Sequence, residues 1–245
     1  MSAPVFVVAR DQIAVGRVVL DGAEGRHAAT VTRLAPGELV VLVDGAGRRG
    51  TGTVTAVSGK DTLEVDVVSV ADEPGPLPRL VVVQALAKGD RGETAVETMT
   101  ELGVDEVVPW AAARCVTRWT ADRADKALAR WRSTGQAAAK QSRRARFPLI
   151  APVATTQEVV GRLAAAAVAV VLDEGAAEPL SALRPPSAGE VVVVVGPEGG
   201  ITPEELVAFA AVGASAYRMG PTVLRTSTAG TAALAVLLSR TDRWA

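Results

Sequence analysis

Two stretches near the C-terminus hold the residues whose types and spacing suit chemistry: GPEGGITPEEL, Gly196–Leu206, and MGPTVLRTSTAG, Met219–Gly230. In the first, Gly196, Pro197, Gly199 and Gly200 make a loop whose backbone amides face outward with no side chains in the way. Thr202, Pro203 and Glu205 follow as an N-cap, a first-turn proline and the acidic partner of a capping box. In the second, Met219 and Gly220 lead through Leu224 and Arg225 to Thr226 or Ser227, which opens a long apolar helix. Each loop carries one charged group, Glu198 and Arg225. A loop-held arginine must find a carboxylate, a phosphate or a polarised carbonyl. Leu172, Asp173 and Glu174 close another strand, and the two acids face either the same crevice or solvent. A glycine loop between strand and helix can cradle a phosphate. Neither GxxxxGK[ST] nor GxGxxG is present, so both usual nucleotide fingerprints fail, and a tight turn without a ligand stays open.

Other chemistries are narrowed by what is missing. The sole histidine, His27, lies far from these loops in sequence, so the C-terminal half has no Ser–His–Asp set. His27 reads as structural or RNA-contacting. Cys115 is the only cysteine, which excludes an internal disulfide and a Cys/His metal cluster. It reads as a small buried hydrophobe.

The elements that position the loops can be read from periodicity. VVVVV at Val191–Val195 is the pattern of a strand buried on both faces, ending at Gly196. From Leu80 onward strands and helices alternate: LVVVQALA, the helix ETAVETMTELG with Ala95, Met99 and Leu102 inward and Gly103 as its C-cap, then DEVVPW. A long helix from Asp122 to about Arg144 follows, then TTQEVVGRLAAA, VAVVLDE, EVVVVVG, the capped helix from Pro203, SAYRM and a terminal helix through Leu238. Such alternation implies a parallel or mostly parallel sheet with helices on both faces. The site then sits at strand C-terminal ends, where open α/β sheets take ligands. Residues 1–70 differ. PVFVV, RVVL, ELVVLVD, GTVTAV and TLEVDVVSV are short β-branched runs, with one short helix between the second and third that turns Ala28, Val31 and Leu34 inward. Five close strands point to a small barrel. ADEPGPLP, Ala71–Pro78, marks the boundary between the two patterns.

Composition sets the class. Hydrophobic residues make up 49% and aromatics 3% of 245 residues, which favours an alanine- and valine-rich α/β protein over a disordered chain. The formal net charge of −1 argues mildly against a basic coat, yet a local patch is enough for nucleic acid. Lys140, Arg143, Arg144 and Arg146 crowd the end of the long helix, with Gln141 and Ser142 between them. RNA contact and a solvated helix end both fit that cluster. With neither a signal sequence nor a membrane-length apolar run, a cytoplasmic location is expected.

The chain as a whole resembles the RsmE-type ribosomal RNA methyltransferases of the SPOUT superfamily. The resemblance rests on KGD at Lys88–Asp90, TELGVDEVVPW at Thr100–Trp110, RW at Arg130–Trp131, AAKQSRR at Ala138–Arg144, GPEGGITPEEL and MGPTVLRTSTA. One departure is Ser227, where many members carry glutamate. The resemblance implies a PUA-like RNA-binding barrel over 1–72 and a SPOUT domain over 73–245 whose C-terminal segment threads a trefoil knot. It implies S-adenosylmethionine as cofactor, held by Leu172–Glu174, Gly196–Gly200 and Met219–Ser227, and no metal. RNA would be met by Arg10, Arg26, His27, Arg33, Lys88, Lys140, Gln141, Arg143 and Arg144. The implied reaction is methylation of uracil N3 at one uridine of 16S ribosomal RNA in the 30S subunit, by a homodimer. In it Arg225 is the candidate to stabilise the uracil anion, and Glu198 to orient the ligand or accept its proton. A ribose 2′-O-methyltransferase and a non-catalytic RNA-binding module are the alternatives.

Overall fold

The computed structural model describes residues 3–244, which fall into two compact units. One is formed by the chain up to Gly75 together with Ala139–Phe147, the other by Pro76–Ala138 and the chain from Pro148.

In the first unit, β1 (Val5–Val7), β2 (Gly16–Leu20), β3 (Leu39–Val43), β4 (Arg48–Ser58) and β5 (Thr62–Asp72) pair in the order β1-β3-β4-β5-β2. Only β1 and β3 run parallel. Phe6 of β1 and Val18 and Leu20 of β2, from opposite edges, enter one core with Val40, Leu42, Val54, Leu63, Val65 and Val67. A sheet whose two edges share a core must curl on itself. Register shifts between β4 and β5 at Thr51/Gly52 and Val54/Ala56 supply the bend. The segment 139–147 completes this unit. Ala145 packs among Val5, Val41 and Val43, Arg146 donates to the Glu73 carbonyl, and Phe147 N–H donates to Gly45 O at 2.8 Å.

The helix expected after β2 is two pieces. An α-helix, α1 (Gly22–Arg26), passes into a π-helical stretch, His27–Thr32, closed by Arg33 at φ 57°. Ala28 and Leu34 are buried as expected, but Val31 is 70% exposed. The wider i→i+5 winding carries Val31 off the face that an α-helix would give it.

The second unit is a six-stranded sheet, all pairs parallel, in the order β11-β9-β10-β6-β7-β8. Along the chain come β6 (Arg79–Ala85), α2 (Arg91–Leu102), β7 (Glu106–Trp110), α3 (Ala121–Gln141), β8 (Leu149–Ile150) and α4 (Thr156–Ala165). Then follow β9 (Val168–Leu172), β10 (Glu190–Val195), α5 (Pro203–Ala211), β11 (Ser215–Tyr217) and α6 (Thr226–Leu238). Strand β8, only two residues long, was too short to show a hydrophobic period. Helix α3 stops at Gln141 rather than near Arg144. Arg143 adopts φ 60° and Arg144 N–H returns to Ala139 O at 2.9 Å, a left-handed stop.

Period-2 alternation assigns the faces. Val82 and Val195 meet α6, where a side chain on Gly230 would lie 3.5 Å from each and only 2.6 Å from the Met99 sulfur of α2. Glycine there lets helix and sheet close up. Trp110, on the other face, meets Phe209 of α5 edge to face at 5.5 Å. From β6 the chain moves outward through β7 and β8, then crosses to β9, β10 and β11. The direction reverses between neighbours β6 and β10, so their C-terminal ends form the switch-point crevice.

Candidate functional site

Three loops converge there. Residues after β9 (Leu172–Glu174), after β10 (Gly196–Ile201) and before α6 (Met219, Gly220, Thr222–Thr226) line one cavity of about 580 Å³, joined by Arg91 and Arg114. Every cofactor-binding candidate read from the sequence lies on it except Ser227. Ser227, the second residue of α6, is buried. A volume of this size falls within the range of small-ligand pockets.

Local sequence explains the shape. Gly200 (φ +75°) and Gly220 (φ +131°) hold conformations that side chains disfavour, and a Cβ on Gly199 would meet the Arg114 carbonyl at 3.1 Å. Immediately beyond, Thr202 Oγ1 accepts from Glu205 N–H at 3.2 Å while Glu205 Oε2 accepts from Thr202 N–H at 3.0 Å, the expected capping box. The buried Glu205 does more than the sequence revealed. Its Oε1 also accepts from Ala113 N–H at 2.9 Å and from Thr156 Oγ1 at 3.2 Å, and Trp110 Nε1 donates to that threonine. One carboxylate therefore fixes the N-terminus of α5 and the segment after β7 that carries Arg114.

The charged groups divide into engaged and unengaged. Glu198 receives Arg91 Nη1 at 2.9 Å and Lys88 N–H at 3.1 Å. Burial alone would raise its pKa. The backbone N–H groups of Glu198 and Lys88 and the Arg91 guanidinium outweigh it and hold the carboxyl below the ordinary carboxylate value. Arg114 Nη1 reaches only the Gly199 carbonyl, at 3.3 Å. Arg225, at the N-cap of α6, is exposed, and among the described residues its guanidinium has no hydrogen-bonded or ion-paired partner. Asp173 Oδ1 accepts from Gly175 N–H at 2.7 Å, turning the loop, and Glu174 is exposed. Arg91 and Arg114 were not singled out by sequence reasoning. The available signal was an arginine following each of two strands, Arg91 where α2 begins after β6 and Arg114 in the segment after β7.

Behind the cavity, Thr226 Oγ1 donates to Gly196 O and accepts from Gln84 Nε2, each at 2.9 Å. Gln84 is fully buried, and its Oε1 has no partner among the described residues. An unmet buried acceptor costs about 1–3 kcal/mol. Burial pushes the Cys115 thiol up and leaves it inert, with its sulfur 3.7 Å from Trp110 O. Among the described residues no cluster of three His, Cys, Asp or Glu side chains could hold a metal.

The RNA-binding candidates behave unequally. In the first unit Arg10 is ion-paired to Asp44 at 2.9 Å and Asp72 at 2.8 Å, and Lys140 to Glu24 at 2.6 Å. His27 sets its ring edge to face against Phe6 at 5.8 Å. Arg26, Arg33, Gln141 and Arg143 are exposed, and Arg144 is half-buried. Lys88, in the second unit, exposes its side chain while its amide holds Glu198.

Comparison with known proteins adds the following. A family model described as an RNA methyltransferase domain matches residues 73–238, and one described as an RNA methyltransferase PUA domain matches residues 20–68. The ribosomal RNA small subunit methyltransferase E of Mycobacterium tuberculosis is 47% identical over 230 residues, covering 92% of this chain and 87% of the relative. The Bacillus subtilis protein of that name is 29% identical over 231 residues, covering 91% of this chain and 90% of its own. The Neisseria gonorrhoeae protein of that name, solved bound to S-adenosyl methionine, is 28% identical and superposes with a TM-score of 0.85. The match covers 97% of this chain and 98% of that one.

Proposed function

We propose that this chain, which belongs to the RNA methyltransferase family of the ribosomal RNA small subunit methyltransferase E type, methylates uracil N3 of one uridine in 16S ribosomal RNA. The observation that carries the reading is the convergence of three strand-end loops on one cavity of about 580 Å³, with two guanidinium groups beside it, Arg114 and Arg225, that close no ion pair among the described residues.

S-adenosylmethionine fits the residues present. Backbone groups of Gly196–Gly200 and of Met219, Gly220 and Leu224 line the cavity and offer donors and acceptors suited to the edges of an adenine ring. When bound, the cofactor supplies a methyl group on a positively charged sulfur. The chain's own residues supply alignment and charge. Displacement at carbon needs nucleophile, methyl and leaving sulfur in line more than it needs acid catalysis. Uracil N3 must lose its proton before its lone pair can attack, and the charge then spreads over O2 and O4. Arg225 is placed to favour that anion. Glu198, kept ionised by Arg91 and two amides, is suited to orienting the loop and poorly suited to taking the proton.

The same reading carries the remaining expectations. The substrate is the 16S RNA within the 30S subunit, the C-terminal segment threads a knot, and the enzyme acts in the cytoplasm as a homodimer. The exposed Val223 and Leu224 beside the cavity support an apolar contact with a second copy. Among the described residues no helix is long and apolar enough to cross a membrane.

Nucleoside analysis of 16S RNA from cells lacking the protein, with and without complementation, tests the reaction. The expected result is loss and recovery of a single N3-methyluridine. A missing ribose 2′-O-methyl group instead, or no missing methyl group, overturns it.

A further inference from the structure

The interior of the β6–β10 pair holds an amide where the strand pattern calls for an aliphatic side chain. Beyond Arg79, which opens β6, Gln84 is the polar exception in a strand otherwise made of Leu80, Val81, Val82, Val83 and Ala85, all buried. It pairs in register with Val195 and shares the face that packs on α6. Its Nε2 donates to Thr226 Oγ1 and, at 3.3 Å, to Ala85 O, while Thr226 Oγ1 donates onward to Gly196 O. Its Oε1 meets no donor among the described residues. Leucine, close in volume, would fill the position without that unmet acceptor. Stability alone therefore favours the apolar residue.

We infer that Gln84 and Thr226 are positioning residues, an amide–hydroxyl–carbonyl relay that locks two of the three cofactor loops to the central strand. The relay fixes the first carbonyl of the Gly196–Gly200 loop. It also fixes the first residue of α6, and with it the direction in which Arg225 leaves the helix. Glu198 and Arg114 hold the loop further on, and Thr228 and Ala229 hold the Arg225 carbonyl, but among the described residues no other donor reaches Gly196 O. Gly196 follows a strand that has ended, and α6 has no side-chain cap on its N-terminus. Thr226 acts here through Gly196, beyond whatever contact it makes with a ligand. The inference rests on the cofactor reading above.

The test uses the full chain with Gln84→Leu, Thr226→Val and Thr226→Ser. Melting temperature, affinity for S-adenosylmethionine by calorimetry, and amide hydrogen exchange of the Gly196–Gly200 loop without cofactor are measured. Gln84→Leu should melt at or above the wild-type temperature, and Thr226→Val below it, because the latter takes partners from Gln84 Nε2 and the Gly196 carbonyl. Both should bind the cofactor about 10-fold more weakly and exchange the loop amides faster. Thr226→Ser, which keeps the hydroxyl, should behave as wild type. The Michaelis constant for RNA should not move. Folded variants with wild-type affinity and loop exchange overturn the inference. So does failure of Gln84→Leu to fold, since the relay would then be part of the fold's stability. If the wild-type chain binds no cofactor, the functional reading falls, and the exchange measurement still decides the relay.

Discussion

The two ends of the parallel sheet are both rich in charge, yet they use it oppositely. At the N-terminal ends of the strands the charges close on one another. The buried Glu106 takes Arg79 on one oxygen and Arg162 on the other, Arg79 also meets Glu190, and Arg243 holds Asp105 and the carbonyls of Pro78 and Gly103. At the C-terminal ends the carboxylates Glu198 and Glu205 are absorbed in shaping loops, while among the described residues Arg114 and Arg225 close no ion pair, Arg114 only feeling the charge of Glu204. A closed network can serve stability only. A set with unmatched cations holds capacity for a ligand, which is what separates a functional end from a structural one.

Four experiments sharpen or break that contrast. The largest effect belongs to the closed end. Glu106→Ala strands two guanidinium groups around a buried site and should cost about 3–5 kcal/mol in a denaturant titration, while the folded fraction binds cofactor normally. An equal loss of cofactor affinity would show that the two ends are not independent. At the open end the order of effects reverses. Arg225→Ala should lower methyl transfer about 100-fold or more, with cofactor affinity kept and stability within about 0.5 kcal/mol of wild type. Comparable turnover on 30S subunits would remove Arg225 from the chemistry.

Thr202→Ala should remove about 1 kcal/mol of stability through the lost cap, and loosen the loop before it. The smallest effect is that of pH on Glu198. Its folded pKa is depressed, so its contribution is complete above the ordinary carboxylate range and is lost only as pH falls through the lowered folded value. Cofactor affinity in the wild type should therefore hold flat on acidification to that range and fall below it. Glu198→Gln should bind more weakly at neutral pH and lose that acid-side fall. Retention of the fall in Glu198→Gln would assign it to another group.

Much of this was legible in the residues. Val191–Val195 announced a central strand, and Thr202-Pro203 with Glu205 announced the capped helix after it, because both signals are local. The two glycine loops stood out for the same reason. What stayed hidden depended on partners distant in sequence. Glu205 gave away its capping role but not its hold on Ala113, which lies 92 positions away. Arg10 and Lys140 looked like free cations until Asp44, Asp72 and Glu24 closed on them. The exposure of Val31 could not be foreseen either, since α- and π-winding share the same residue preferences and differ only in which carbonyl each amide finds.

The discontinuity of the first unit bears on the order in which the protein can mature. Ala145, Arg146 and Phe147 complete a unit whose other residues end at Gly75, so the emerging polypeptide must wait for 72 further residues before that unit can close. At bacterial or eukaryotic elongation rates the delay is roughly 4–14 s. During it the apolar side formed by Val5, Val41 and Val43 lacks its cover, a window in which a nascent-chain chaperone has something to hold. A shortened gene ending after Gly75 would make that window permanent.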